Sequence, residues 1–207
     1  MSDGHPHLHH PEHHRPSTYH EKLTAAVLEL LAEKSILSPA QVTEAIEIMD
    51  ARSPALGAKV VARAWVDPAF KKRLLENGSA ACGELGIDVG TLKLVVVENT
   101  PSIHNVIVCT LCSCYPKMLL GIPPAWYKSN AYRARTAREP RAVLKEFGLD
   151  LEPSVTVRVH DSTADMRYLV LPMRPAGTES FSEEQLAELV TRDSMIGVVR
   201  AREPITA

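Results

Sequence analysis

Three of the chain's four cysteines, Cys109, Cys112 and Cys114, fall within six residues, directly after the β-branched run Val106-Ile107-Val108. Such a run favours a strand. The thiols therefore belong to a loop that starts where a strand stops, which ties the sheet and any chemistry of the cysteines to one place. The start of the chain lacks the basic and apolar regions of a secretory leader, so the expected compartment is the cytoplasm. Cysteines in such a chain read as metal ligands or redox groups rather than as disulfides. The fourth, Cys82, sits among small residues in Ser79-Ala80-Ala81-Cys82-Gly83 and reads as a buried structural thiol.

At 207 residues, 45% hydrophobic and 23% charged, the chain is long enough to bury a core without cross-links and is not disordered as a whole. Its longest apolar stretches, 94–97 and 106–108, are far too short to span a bilayer. With 23 basic and 25 acidic residues the formal charge is −2. That balance offers no footprint for nucleic acid and none for an anionic membrane.

Residues 1–17 hold six of the nine histidines and three prolines with few apolar side chains, and are expected to form a disordered tail. Residues 18–90 are expected to be a helical N-terminal arm with further helices. Leu23, Val27, Leu30 and Leu31 recur at helical steps and make one apolar stripe. Ser38-Pro39-Ala40-Gln41 and Asp67-Pro68 are helix-start signals, and Gly78 is the expected stop after the second. Residues 91–207 form the expected α+β metal-binding body, with strands at 92–98, 106–108, 155–160 and 167–171. Helices are predicted at 141–147 and after Ser182, which has Gln185 in capping-box position.

The segment Cys109-Thr110-Leu111-Cys112-Ser113-Cys114 admits two metal chemistries. A structural zinc wants four ligands at tetrahedral corners, usually as two pairs from separate parts of the chain. Only one C-x-x-C is present, and beyond the N-terminal stretch that ends with His20 only His104 and His160 could supply a corner. The alternative uses the backbone. If the thiolates of Cys112 and Cys114 bind one ion, the Ser113 nitrogen closes a six-membered chelate with the first sulfur. The Ser113 and Cys114 nitrogens then close a five-membered ring, and Cys114 nitrogen and sulfur another. Two sulfurs and two amide nitrogens make a square plane, Cys109 caps it, and one octahedral position stays open. Such a field suits low-spin trivalent cobalt or iron and has no appeal for zinc.

These residues resemble the metal claw of the nitrile hydratase alpha subunit and of its relative, the thiocyanate hydrolase gamma subunit. The resemblance continues through Ala58-Lys59-Val60-Val61-Ala62-Arg63-Ala64-Trp65-Val66-Asp67-Pro68, Glu98-Asn99-Thr100-Pro101 and Pro123-Pro124-Ala125-Trp126-Tyr127-Lys128. It runs on through Tyr132-Arg133-Ala134-Arg135, Arg174-Pro175-Ala176-Gly177-Thr178 and Leu189-Val190-Thr191-Arg192-Asp193-Ser194-Met195-Ile196-Gly197. It implies a fold with a helical N-terminal arm followed by a layered α/β/β/α body carrying the claw. The implied metal ligands are the thiolates of Cys109, Cys112 and Cys114 with the main-chain nitrogens of Ser113 and Cys114. Cys112 would be oxidised to the sulfinic acid and Cys114 to the sulfenic acid. Thr110 goes with the cobalt type, so one Co(III) per chain is expected, with Fe(III) the lesser choice.

The implied activity is that of a hydro-lyase converting a small nitrile to its amide, with Cys114, Cys112 and Ser113 as the catalytic set. The attacking oxygen would come from the Cys114 sulfenate or from an activated water. Asp161 and Arg167 match family residues standing behind the ligands. The implied partners are a beta subunit, in an alpha-beta heterodimer or an alpha2-beta2 heterotetramer, and an activator protein for metal insertion. After Tyr115-Pro116 the family usually carries tryptophan and proline, where this chain has Lys117 and Met118. A cation at the substrate pocket favours a polar or anionic substrate. The gamma subunit of thiocyanate hydrolase tends to be basic there, which makes conversion of thiocyanate to carbonyl sulfide and ammonia the alternative activity. A third reading is a metal or redox module without turnover, since exposed low-pKa thiols beside a resolving cysteine share this pattern.

Overall fold

The structure, a computed structural model, describes residues 18–50 and 52–204. The histidine-rich run at 1–17 lies outside the described residues. The described residues divide into a unit that ends at Glu47 and a second that begins at Ile48.

The first unit holds α1 (Tyr19–Glu33) and most of α2 (Pro39–Asp50), each opened by the reciprocal bonding of a capping box. At α1 Thr18 and Glu21 exchange bonds. At α2 the Ser38 amide donates to Gln41 Oε1 at 2.7 Å and the Gln41 amide to Ser38 Oγ at 3.2 Å. These bonds satisfy amides that a first helical turn leaves without partners. No residue of α1 is buried. Its apolar stripe, Leu23, Val27 and Leu30, stays roughly half exposed among the described residues. No described helix is long and apolar enough to cross a membrane.

The second unit begins with α3 (Pro54–Val66), α4 (Pro68–Glu76) and α5 (Gly78–Glu84). Then come β1 (Lys93–Glu98) and β2 (Ile103–Val108), and the helices α6 (Lys117–Leu120), α7 (Ala125–Lys128), α8 (Asn130–Arg138) and α9 (Pro140–Glu146). The strands β3 (Thr156–Asp161) and β4 (Met166–Leu171) are followed by α10 (Glu183–Leu189) and α11 (Arg192–Ile196). Pairing between strands is parallel: β1 with β4, Lys93 opposite Met166, and β2 with β3, Ile103 opposite Thr156. Helices α4 and α5 pack on β1, β2 faces β4, and α8 and α9 pack on β2 and β3. The layers thus run helix, sheet, sheet, helix, as expected of an α+β body. The core is lined by Val60, Val61, Leu74, Val106, Ile107, Leu119, Leu169 and Met195, all closed to solvent.

Three local expectations change. Gly78 does not stop a helix. Asn77 ends α4, and Gly78 opens α5, because a Cβ there would stand 2.7 Å from the Leu94 carbonyl oxygen of β1. Strand β2 starts at Ile103 rather than at 106, because His104 and Asn105, polar residues that hide a strand in sequence, are buried within it. Helices α3 and α8 carried no recognised start signal. Their caps are Ser53 followed by Pro54, and Ser129, whose Oγ accepts the Tyr132 amide at 3.1 Å.

Buried Asn99, His104 and Asn105 and half-buried His160 form one chain of hydrogen bonds. His160 Nε2 donates to Asn105 Oδ1 at 2.8 Å. Asn105 donates from its amide and Nδ2 to Asn99 Oδ1 at 2.7 and 3.0 Å. Asn99 Nδ2 donates to His104 Nδ1 at 3.3 Å, and His104 Nε2 to the Gly197 carbonyl at 2.7 Å. Every member has a partner, which is the condition for a buried polar network to stabilise rather than cost. Gly197 adopts φ +90°, and a Cβ would lie 2.1 Å from Asn105 O, so glycine alone permits this approach to β2.

Burial holds both His104 and His160 below the ordinary imidazole value of 6.5. The unfolded chain then takes up protons that the folded chain refuses as pH falls through 6.5. Urea unfolding midpoints should be flat above about pH 7 and decline between about 6.5 and 5, before carboxylates titrate. His104→Gln should flatten that decline, and an unchanged slope in the variant would contradict this account.

Candidate metal centre

Parallel pairing puts the C-terminal ends of β2 and β3 at one edge, with Val108 opposite Asp161. At such an edge the backbone leaves the ladder and ligands gather. The ladder closes with the Ser162 amide on Val108 O at 2.8 Å. Beyond it Asp161 takes over the departing chain. Its Oδ1 accepts the Thr110 amide at 2.9 Å and its Oδ2 the Thr110 hydroxyl at 2.5 Å. A strand-end carboxylate thus clamps the first turn of the cysteine loop.

The clamp turns the thiols toward one another. Cys109 is buried at the strand end, Cys112 is exposed and Cys114 is half-buried. The Cys112 amide donates to Cys109 Sγ at 3.2 Å. The Cys109 and Cys112 sulfurs are 3.3 Å apart, those of Cys112 and Cys114 3.0 Å, and all three lie within 4.8 Å of one another. Hydrogen bonds from Cys114 and then Cys109 lower the Cys112 thiol to about 7. Burial and then the neighbouring Cys112 push Cys114 up to about 12, with Arg167 acting against the rise. Of these two thiols Cys112 accepts a negative charge readily and Cys114 resists one. A cation among the sulfurs removes that resistance, because it favours every thiolate at once.

No imidazole or carboxylate joins the three sulfurs among the described residues. The two histidines that a zinc cage would need are committed to Gly197, Asn99 and Asn105. The remaining donors beside the sulfurs are the main-chain nitrogens of Ser113 and Cys114, so the donor set fits a claw rather than a tetrahedral cage.

Arg167, at the start of β4, is returned to this edge by the turn after β3. Its guanidinium donates to the Ala164 carbonyl at 3.0 Å and also to that of Thr163. Lys117 opens α6 just past the loop and is exposed. Trp126 packs against Phe147 and Tyr132, with ring centroids 4.8 and 4.9 Å away. Cys82 is fully buried, and burial raises its thiol to about 12, which makes it inert.

Two contacts were not anticipated. The Tyr127 hydroxyl donates to Cys114 O at 2.8 Å, and Arg133 Nη1 donates to Cys112 O at 3.0 Å. Both residues lie in segments that carry the resemblance. Their spacing said nothing about reaching the loop, because α8 is brought there by packing on β2 and α7 by packing on α8.

Three converging sulfurs, with the main-chain nitrogens of Ser113 and Cys114 beside Cys112 and no imidazole corner among the described residues, define a candidate metal-claw chain. The family model described as nitrile hydratase, alpha chain, matches residues 18–199. The low-molecular weight cobalt-containing nitrile hydratase subunit alpha of Rhodococcus rhodochrous is 55% identical over 179 residues, covering 84% of each chain. The thiocyanate hydrolase subunit gamma of Thiobacillus thioparus is 42% identical over 198 residues, covering 90% of this chain and 82% of the relative. Among solved structures, a double mutant of the Fe-type nitrile hydratase from Comamonas testosteroni Ni1 superposes with a TM-score of 0.82 at 47% identity, covering 91% of this chain and 93% of the other. The chain belongs to the nitrile hydratase alpha-chain family, whose enzymes are hydro-lyases.

Tyr127 is fully buried, so Tyr127→Phe leaves Cys114 O without its donor. That should cost about 1–3 kcal/mol, read as a lower melting temperature. A melting temperature equal to that of the parent would show that the bond carries no stability.

Proposed function

We propose that this chain is the alpha subunit of a cobalt-type nitrile hydratase. In this reading Cys109, Cys112 and Cys114, with the main-chain nitrogens of Ser113 and Cys114, hold one low-spin Co(III). The observation that carries it is the convergence of the three sulfurs within 4.8 Å with no imidazole among them. Thr110 and the cobalt-containing relative from Rhodococcus rhodochrous favour cobalt over iron. When bound, the ion would supply Lewis acidity toward the nitrile.

The residues of the chain divide the remaining work. Exposed Cys112 is the thiol most open to oxidation and is assigned the sulfinic acid. Half-buried Cys114 is assigned the sulfenic acid. Either the Cys114 sulfenate would accept the proton of a water attacking the nitrile carbon, or its own oxygen would bond that carbon, its S–O bond breaking as water returns an oxygen to sulfur. In both cases the water's protons pass to the nitrile nitrogen and the amide forms without net oxidation. Arg167, whose charge favours an anion at Cys114, steadies that group. Asp161 holds Thr110 and with it the loop, and Lys117 faces the polar end of the substrate.

The exposed stripe of Leu23, Val27 and Leu30 supports a beta subunit as partner, in an alpha-beta heterodimer or alpha2-beta2 heterotetramer, since an amphipathic helix buries its stripe against something. An activator protein would load the metal. The unbridged thiols fit the cytoplasm. A second reading, a thiocyanate hydrolase gamma subunit, is favoured by exposed Lys117.

The complex purified with its beta partner should carry one cobalt per chain by elemental analysis and a mass excess of three oxygens on the cysteine peptide. It should release amide from a nitrile. Cys114→Ala should lower hydration on the order of 10^4-fold, the scale for deleting a reacting group. Zinc with unmodified thiols would defeat this reading, and carbonyl sulfide with ammonia from thiocyanate would replace it by the second.

A further inference from the structure

The two side chains that reach the loop's carbonyls differ in charge, and the difference follows the peptide each one touches. Tyr127, a neutral hydroxyl, donates to Cys114 O. That oxygen is conjugated with the nitrogen of Tyr115, which is outside the donor set. Arg133 donates to Cys112 O at 3.0 Å, and that oxygen is conjugated with the nitrogen of Ser113, which is inside it. Arg133 is half-buried, and Ser129 at the head of α8 sets its position one turn into the helix. Its Nη2 donates to Asn130 Oδ1 at 2.9 Å, and its buried Nε has no partner. No carboxylate is among these contacts. The guanidinium, with no carboxylate partner among the described residues, is thus aimed at a peptide oxygen that gains negative charge only when the Ser113 nitrogen ligates.

We infer that Arg133 is a positioning residue for the metal, offsetting the negative charge that coordination of the Ser113 nitrogen delocalises onto the Cys112 oxygen. The inference rests on the claw reading above and adds a residue to it. A peptide nitrogen that ligates as an anion shares its charge with its carbonyl oxygen, and a hydrogen bond from a cation to that oxygen is among the strong ones. Arg133 also fixes the plane of the Cys112–Ser113 peptide, which decides where the nitrogen lone pair points.

The test compares Arg133→Gln, Arg133→Lys and Tyr127→Phe with the parent, each co-expressed with the beta partner in cobalt medium. The readouts are the energy of the sulfur-to-metal charge-transfer band and the rate of cobalt release to a chelator under reducing conditions. Arg133→Gln, a donor without charge, should shift the band and speed release on the order of ten- to a hundredfold, the worth of one charge-assisted hydrogen bond. Arg133→Lys, which keeps the charge but loses the second donor to Asn130, should release cobalt no more than about tenfold faster than the parent. Tyr127→Phe should lower the melting temperature while leaving the band in place. A Gln variant that matches the parent in both readouts, or a Tyr127→Phe that shifts the band equally, overturns the inference and leaves the claw standing. If the Gln variant does not accumulate, the Lys variant decides, and release more than about tenfold faster overturns the inference. A parent complex with no cobalt band overturns the claw reading and this inference together.

Discussion

The parallel pairing of β2 with β3 is the constraint on which the centre depends. It brings Asp161, from far along the chain, opposite Val108, so a carboxylate waits where the backbone leaves the sheet. Without that register the Thr110 amide and hydroxyl would lose their acceptor, and the turn that faces the thiols inward would have nothing to set its start. Slipping the pairing by one residue would send Asp161 to the other face of the sheet.

The register is itself guarded by polar groups placed in the core. Asn105 on β2 bonds His160 on β3 and Asn99 beyond β1, and His104 reaches Gly197 after α11. The network therefore ties both two-stranded sheets to the C-terminal helices. An apolar set of the same volume could fill that space in several registers. A chain of directed donors and acceptors accepts one, because any slip leaves buried groups without partners.

Charge at the edge follows from the same packing. Arg133 donates to Cys112 O and the charge of Arg167 acts on Cys114, while Cys112 ionises readily and Cys114 resists it. The surroundings of the thiols arise from separate stretches of chain, Asp161 on β3, Arg133 on α8 and Arg167 on β4.

Much of this was legible in the residues alone. The thiol spacing dictated which atoms could chelate together, since ring sizes along a backbone are covalent facts independent of the fold. Helix starts at Ser38, Asp67 and Ser182 were readable because caps are local. Strands showed where β-branched residues ran together, and β2 was undercounted where His104 and Asn105 interrupt the run. The tertiary structure alone decided which histidines were free to ligate, that Gly78 serves a close approach rather than a stop, and that Tyr127 and Arg133 reach the loop. Those outcomes depend on contacts between residues distant in sequence, and periodicity and spacing carry no information about which distant partner a side chain will meet.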